Sequence, residues 1–136
     1  MRISKTTEYA LRILLTLAAS RRKLTCREIS SDLKIPYKYV GKLMSRLTRQ
    51  NLLYSTRGNG GGFQLSRPAS QIYLAEVLQI IDGLDQFDQC LLGFDHCEKD
   101  SFCCFHHSWM DINRTIKNLF INTSLEDIVK NRTIII

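Results

Sequence analysis

Two hydrophobic rhythms alternate along this chain. Between Lys5 and Ser20, Tyr9, Ile13, Leu14, Leu17 and Ala18 share one stripe at the 3.6-residue period, predicting a helix capped by Ser4. Thr25-Cys26-Arg27-Glu28 has the Ser/Thr-x-x-Glu order of a capping box, in which hydroxyl and carboxylate each take up one orphan backbone N–H. It opens a second short helix with Cys26, Ile29 and Leu33 on its buried face. Lys34-Ile35 makes the turn, and Pro36 stands at the first position of a third helix, where its missing N–H costs nothing. In that helix Val40, Leu43, Met44 and Leu47 fall at i, i+3, i+4 and i+7 and face the core.

Past Asn51 the period shortens to that of strands. Leu52 to Thr56 and Phe63 to Ser66 flank Arg57-Gly58-Asn59-Gly60-Gly61-Gly62, which predicts a β-hairpin with a glycine-rich tip. After Pro68 a fourth helix is expected over Ala75 to Ile81, closed by Asp82-Gly83. Residues 84–102 read as an acidic loop. A long helix follows from Cys103 to Phe120, with Ile112, Ile116, Leu119 and Phe120 on one stripe, and Thr123-x-x-Glu126 caps a last short helix. The tail Thr133 to Ile136 is apolar and packs on a dimer or frays. The expected fold is mainly α with a small β-hairpin: a winged helix-turn-helix head over 1–83, a cysteine-containing loop over 84–102, and a dimerisation helix with its tail over 103–136.

Charge sharpens this picture. The net charge of +6 conceals a division: residues 1–70 carry 14 Lys+Arg against 3 Asp+Glu, and residues 71–136 carry 5 against 10. A basic front on an acidic rear suits a module that meets a polyanion with one end. Opposite the apolar stripe of the third helix lie Lys38, Lys42, Ser45 and Arg49, with Arg46 on the flank. These residues are expected to face the major groove and adjacent phosphates of double-stranded DNA, with Tyr37 donating to a phosphate and Tyr39 either doing the same or packing partly in the core. Arg57, with Gly58 and Gly60 letting the backbone approach closely, is placed in the minor groove. The tip is no nucleotide cradle, since it lacks Gly-Lys-Ser/Thr and leads into a strand. No carboxylate pair or Ser-His-Asp set points to an enzyme or a small-molecule substrate. Nothing reads as a secretory signal or a membrane span, so a cytoplasmic protein without membrane association is expected.

Five cysteines in such a chain do not suggest a disulfide scaffold. Cys26 lies on a core face. Cys90, Cys97, Cys103 and Cys104 cluster with His96, His106 and His107, a thiol and imidazole set suited to a soft metal. The spacing Cys90-x6-Cys97-x5-Cys103 is looser than paired zinc knuckles, and three thiolates on a loop can wrap an iron–sulfur cluster and leave a fourth position to another ligand. His106 lies one turn past Cys103, whereas Cys104 points about 100° away from it on a helix. A zinc site and a thiol–disulfide switch remain alternatives.

Together these residues resemble the Rrf2 family of bacterial winged-helix regulators, with its IscR-, NsrR- and RirA-like branches. The resemblance spans nearly the whole chain. It rests on Ser4-x4-Tyr9-Ala10-Leu11-Arg12, on Ser55-x-Arg57-Gly58-x2-Gly61-Gly62-Phe63-x-Leu65, on Asp82-Gly83-Leu84, and on Cys103-x2-His106-x2-Trp109. It implies a homodimeric, sequence-specific DNA-binding regulator, a repressor or an activator, whose affinity is set by a 2Fe–2S or 4Fe–4S cluster sensing nitric oxide, iron or redox state. Cys90, Cys97 and Cys103 match the family's cysteine ligands. The fourth ligand is His106 in the IscR-like pattern, or a first-helix carboxylate, here Glu8 of the partner subunit, in the NsrR-like one. The Cys90 to Cys97 interval is one residue longer than the commoner pattern, and Cys104 replaces a frequent proline. Dimer symmetry predicts a palindromic operator with half-sites about 34–36 Å, or a multiple of that, apart. The alternative is a cluster-free regulator switched by thiol oxidation, zinc or a partner protein.

Overall fold

A computed structural model describes residues 3–94 and 103–131. Among them run helices α1 (Lys5–Ala19), α2 (Cys26–Leu33) and α3 (Tyr37–Arg49), strands β1 (Leu53–Thr56) and β2 (Gly62–Leu65), and helices α4 (Leu74–Ile81), α5 (Cys104–Asn122) and α6 (Leu125–Lys130). Short 3-10 turns occupy Ala69–Gln71 and Asp85–Asp88. Cys97, His96 and the Thr133 to Ile136 tail lie outside the described residues.

The helices begin where a side chain can take over an orphan N–H. The Ser4 hydroxyl accepts from the Thr7 N–H at 3.1 Å. Thr25 and Glu28 close the expected capping box, at 2.8 Å from the Thr25 N–H to the Glu28 carboxylate and 3.2 Å from the Glu28 N–H to the Thr25 hydroxyl. Lys34 ends α2 in the left-handed region at φ 55°. Pro36 is the N-cap of α3 rather than its first residue, so its carbonyl takes the first helical bond from Val40 at 3.0 Å.

Val40, Leu43, Met44 and Leu47 of α3 are buried against Ala10, Ile13, Leu14 and Leu17 of α1 and Ile29 and Leu33 of α2. Each such side chain taken out of water contributes roughly 1.5–3 kcal/mol before entropy is charged against it. Cys26 is half-buried beside this core, and burial pushes its thiol up. The wing pairs antiparallel, with Leu53 opposite Leu65 and Thr56 opposite Gly62. Leu24 adds a short bridge on the far edge, exchanging bonds of 3.1 and 2.8 Å with Phe63.

The C-terminal end returns to the head. Leu125 is fully buried in the same core, and Tyr73 bridges Ser124. That bridge shifts the last cap. Thr123 stays extended, its carbonyl accepting from the Leu74 N–H at 3.0 Å, and the capping box is Ser124 with Asp127 instead of Thr123 with Glu126. Of the stripe expected on α5, Ile116 and Phe120 are half-buried, whereas Ile112 and Leu119 are exposed.

Candidate DNA interface and cysteine site

The amphipathic division of α3 sends its polar side outward. Lys38, Lys42, Ser45 and Arg49 are exposed and Tyr37 is 56% exposed. With Gly41 and Arg46 they line one shallow groove. Lys38, Lys42 and Arg49 form no ion pair among the described residues, which leaves their charge available to a polyanion. Arg46 differs. It is half-buried, and its Nη2 donates to the Ile80 carbonyl at 2.8 Å, so it ties α3 to the end of α4 while still lining the groove. Tyr39 turns inward: its hydroxyl bonds the Thr6 hydroxyl and its ring meets Tyr9 edge-on at 5.4 Å, which removes it from the phosphate donors expected on this helix.

At the wing, Arg57, Gly58 and Gly60 are exposed, with Gly58 at φ 90° and Gly60 at φ 74°. Beneath α3, Asp82 caps α4 and reaches α1, accepting from the Ser4 N–H at 3.0 Å and the buried Thr7 hydroxyl at 2.8 Å. Burial alone would push the Asp82 carboxyl up. The bonds from Ser4 and Thr7, with the Arg46 charge nearby, outweigh it and hold the group below its ordinary value.

Cys90, Cys103 and Cys104 lie on the segment before α5 and at the start of that helix. Cys90 and His106 line one cavity of about 480 Å³ with Asp88, Gln89, Gly93, Phe94 and Met110. Cys103 is the exposed N-cap of α5, and its carbonyl accepts from the His106 N–H at 3.1 Å. Cys104 is exposed beside it. Glu8 lies in the first turn of α1, paired with Lys5 at 2.8 Å. Among the described residues no three His, Cys, Asp or Glu side chains converge as a metal site. The donor chemistry nevertheless fits an iron–sulfur group: a thiol and an imidazole share a cavity wall, and a second thiol stands one turn from that imidazole.

Of the two side chains that bond the backbone of this region, sequence reasoning named Trp109 only as part of a motif and missed Asn113. Trp109 Nε1 donates to the Gln89 carbonyl at 3.1 Å, and the fully buried Asn113 Nδ2 donates to the Phe87 carbonyl at 2.8 Å. The available signal was an asparagine one turn before Ile116 on the half-buried side of α5.

The family model described as Rrf2, iron-dependent transcriptional regulator, matches residues 3–131. The HTH-type transcriptional regulator IscR of Xenorhabdus nematophila is 31% identical over 137 aligned positions, covering 99% of this chain and 83% of its own. Among solved structures, CymR (YrzC), the global cysteine regulator of B. subtilis, superposes with a TM-score of 0.80 at 22% identity, over 97% of this chain and 98% of that one. The T. potens IscR structure gives 0.73 at 20% identity, over 96% and 88%. Likeness at those identities establishes the winged-helix fold alone. The matched family and the IscR relative are regulators of transcription, not enzymes. No helix among the described residues is long and apolar enough to cross a membrane. With the family model covering nearly the whole chain, the protein belongs to the Rrf2 family of transcriptional regulators.

Proposed function

We propose that this chain is a homodimeric, sequence-specific DNA-binding regulator, a repressor of palindromic operators, whose affinity is controlled by an iron–sulfur cluster. The observation that carries the sensing half is the shared cavity of Cys90 and His106, with Cys103 one turn before His106. Cys90, Cys97 and Cys103 would hold the group, with His106 or Glu8 of the partner subunit completing its ligands. When bound, it supplies a centre that reacts with nitric oxide or oxidants and responds to iron supply.

DNA binding follows from the outward face of α3. Lys42, Lys38 and Arg49 neutralise phosphates and read the major groove with Ser45 and Tyr37, Arg46 contributes from its anchored position, and Arg57 with Gly58 and Gly60 reaches the minor groove. A dimer presents two such faces, and its partners are duplex DNA and a second copy of the chain. Cluster gain or loss acts only through a difference in its affinity for two arrangements of the Cys90 segment. A cytoplasmic location in a bacterial cell accords with this role.

Anaerobic purification with a visible spectrum and iron and sulfide analysis tests the reading. Charge-transfer bands with matching iron and sulfide support it. A colourless, iron-free protein after reconstitution overturns the sensing half and leaves the DNA-binding half standing. The exposed, adjacent Cys103 and Cys104 favour a second reading, a cluster-free thiol switch, which that colourless outcome would select.

A further inference from the structure

Candidate ligand Cys90 ends a segment that α5 grips by its backbone. Trp109 donates to the Gln89 carbonyl at 3.1 Å, Asn113 donates to the Phe87 carbonyl at 2.8 Å, and Lys117 Nζ lies 3.8 Å from the Asp88 carboxylate. Residues 109, 113 and 117 follow one another at single-turn intervals, so one row of α5 engages three consecutive residues, 87 to 89. Phe87 is buried and packs against Phe120 at 5.9 Å, which closes the row one turn further on.

Asn113 is the costly member. It is fully buried, and its Oδ1 has no hydrogen-bond partner among the described residues. Leucine would fill a site of this size without leaving an amide oxygen unsatisfied. What leucine lacks is the donor to Phe87.

We propose that Trp109 and Asn113 are positioning residues that fix the backbone of 87–89 to α5 and thereby set Cys90 against His106, which the same helix carries. This deepens the iron–sulfur reading above and rests on it. Both bonds end on carbonyl oxygens, so they fix where the chain runs, whatever side chains it bears. Without them Cys90 and His106 belong to two segments whose relative position varies, and a ligand set must then be ordered at the moment it forms.

The test uses the full chain as Trp109→Phe, Asn113→Leu and, as a control that thins the head's core, Ile29→Val. Two quantities are read: hydrogen exchange of the amides of residues 85–92, and the rate at which a chelator bleaches the visible bands of the anaerobically reconstituted protein. Both clamp variants are expected to exchange and bleach about fivefold faster or more. Ile29→Val is expected to lower Tm and leave both rates unchanged. Wild-type exchange rates in both clamp variants overturn the proposal, as does bleaching that merely follows Tm across all three proteins. If wild type itself takes up no iron and sulfide, the cluster reading fails and the exchange rates alone uphold or overturn the clamp. Trp109→Phe keeps an aromatic ring without the N–H donor and decides the matter should Asn113→Leu fail to fold.

Discussion

Arg46 donates from its guanidinium to the Ile80 carbonyl at 2.8 Å, which joins α3 to the last turn of α4. The adjoining Asp82 binds Ser4 and Thr7 at the start of α1. Three helix ends are thus fastened within three residues, Ile80 to Asp82, and α3 is oriented by polar bonds as well as by its apolar face. In the proposed DNA-binding reading Arg46 therefore has two tasks where Lys42, exposed and without an ion pair among the described residues, has one.

Substitution separates them. Lys42→Ala is expected to weaken duplex binding and lower the salt-dependence slope by about one, with unfolding unchanged. Arg46→Ala is expected to weaken binding and also cost about 1 kcal/mol of stability through the lost bond to Ile80. Fluorescence anisotropy over a salt series, with urea melts of the same variants, checks both. Unchanged binding by both at all salts would refute the assignment of α3.

What the sequence made legible was local. Ser4 and Thr25 cap as read, and the change of period at Asn51 marks the wing, because caps and periods depend on residues within one turn of each other. The last cap failed for the complementary reason. Thr123-x-x-Glu126 and Ser124-x-x-Asp127 satisfy the same motif in adjacent registers, and the pairing of Tyr73 with Ser124, some fifty residues apart, decides between them. Tyr39 was half legible: the wheel puts it beside the core, but only Thr6 explains where its hydroxyl goes. Soft donors at Cys90 and His106 were visible as residue types. That they share a cavity is a tertiary fact: Trp109 and Asn113 bond carbonyls more than eighteen residues away in sequence, and the choice of those carbonyls has no local signature.

Asp82 gives the fold a pH signature. Its carboxyl is held below the ordinary 3.8, so the folded state binds that proton less readily than the unfolded chain. The resulting stability is present above 3.8 and fades as pH falls through the lowered value. Asp82→Asn keeps an acceptor oxygen and loses the charge. It is expected to cost on the order of 1 kcal/mol at neutral pH, solvent screening at this exposed carboxylate limiting the loss, and to cost progressively less in acid. Urea unfolding of both proteins at several pH values checks this; a difference independent of pH would refute it.

The wing depends on Gly62. Its φ of 148° suits glycine, and a Cβ there would lie 2.9 Å from the Leu24 carbonyl oxygen, because Leu24 bridges the neighbouring Phe63. Backbone cannot swing aside as a side-chain end can. Gly62→Ala is expected to cost about 1–3 kcal/mol in thermal melts and to loosen the hairpin. A variant as stable as wild type would mean that the Leu24 bridge is dispensable.

For the proposed cluster, Glu8 and His106 are the two candidates for the fourth ligand, and spectra separate them. If His106 completes the ligand set, His106→Ala is expected to change the visible and paramagnetic spectra of the reconstituted protein, with Glu8→Gln indistinguishable from wild type. The reverse result assigns the role to Glu8 of the partner subunit. Spectra unmoved by either variant would remove both from the ligand set, since exchanging a ligand atom alters the electronic structure of such a group.

Phe105, Ile112 and Leu119 recur every seven residues on α5, and they are 40%, 53% and 61% exposed in the single chain. A seven-residue repeat keeps one seam facing outward along about four turns, the arrangement in which two helices pack side by side. Asn113 and Lys117 are turned away from this seam, toward the Cys90 segment, and although Phe105 stacks on Trp109 at 6.2 Å, Ile112 and Leu119 make none of the bonds to that segment. Ile112→Asp with Leu119→Asp is therefore expected to leave each chain folded while sedimentation shifts from dimer to monomer. Affinity for a two-half-site operator is then expected to fall at least about a hundredfold, because each head must bind at its own cost in translational freedom. A double variant that remains dimeric would show that the copies meet on another face. One that becomes monomeric with full operator affinity would refute the paired-head account of DNA binding.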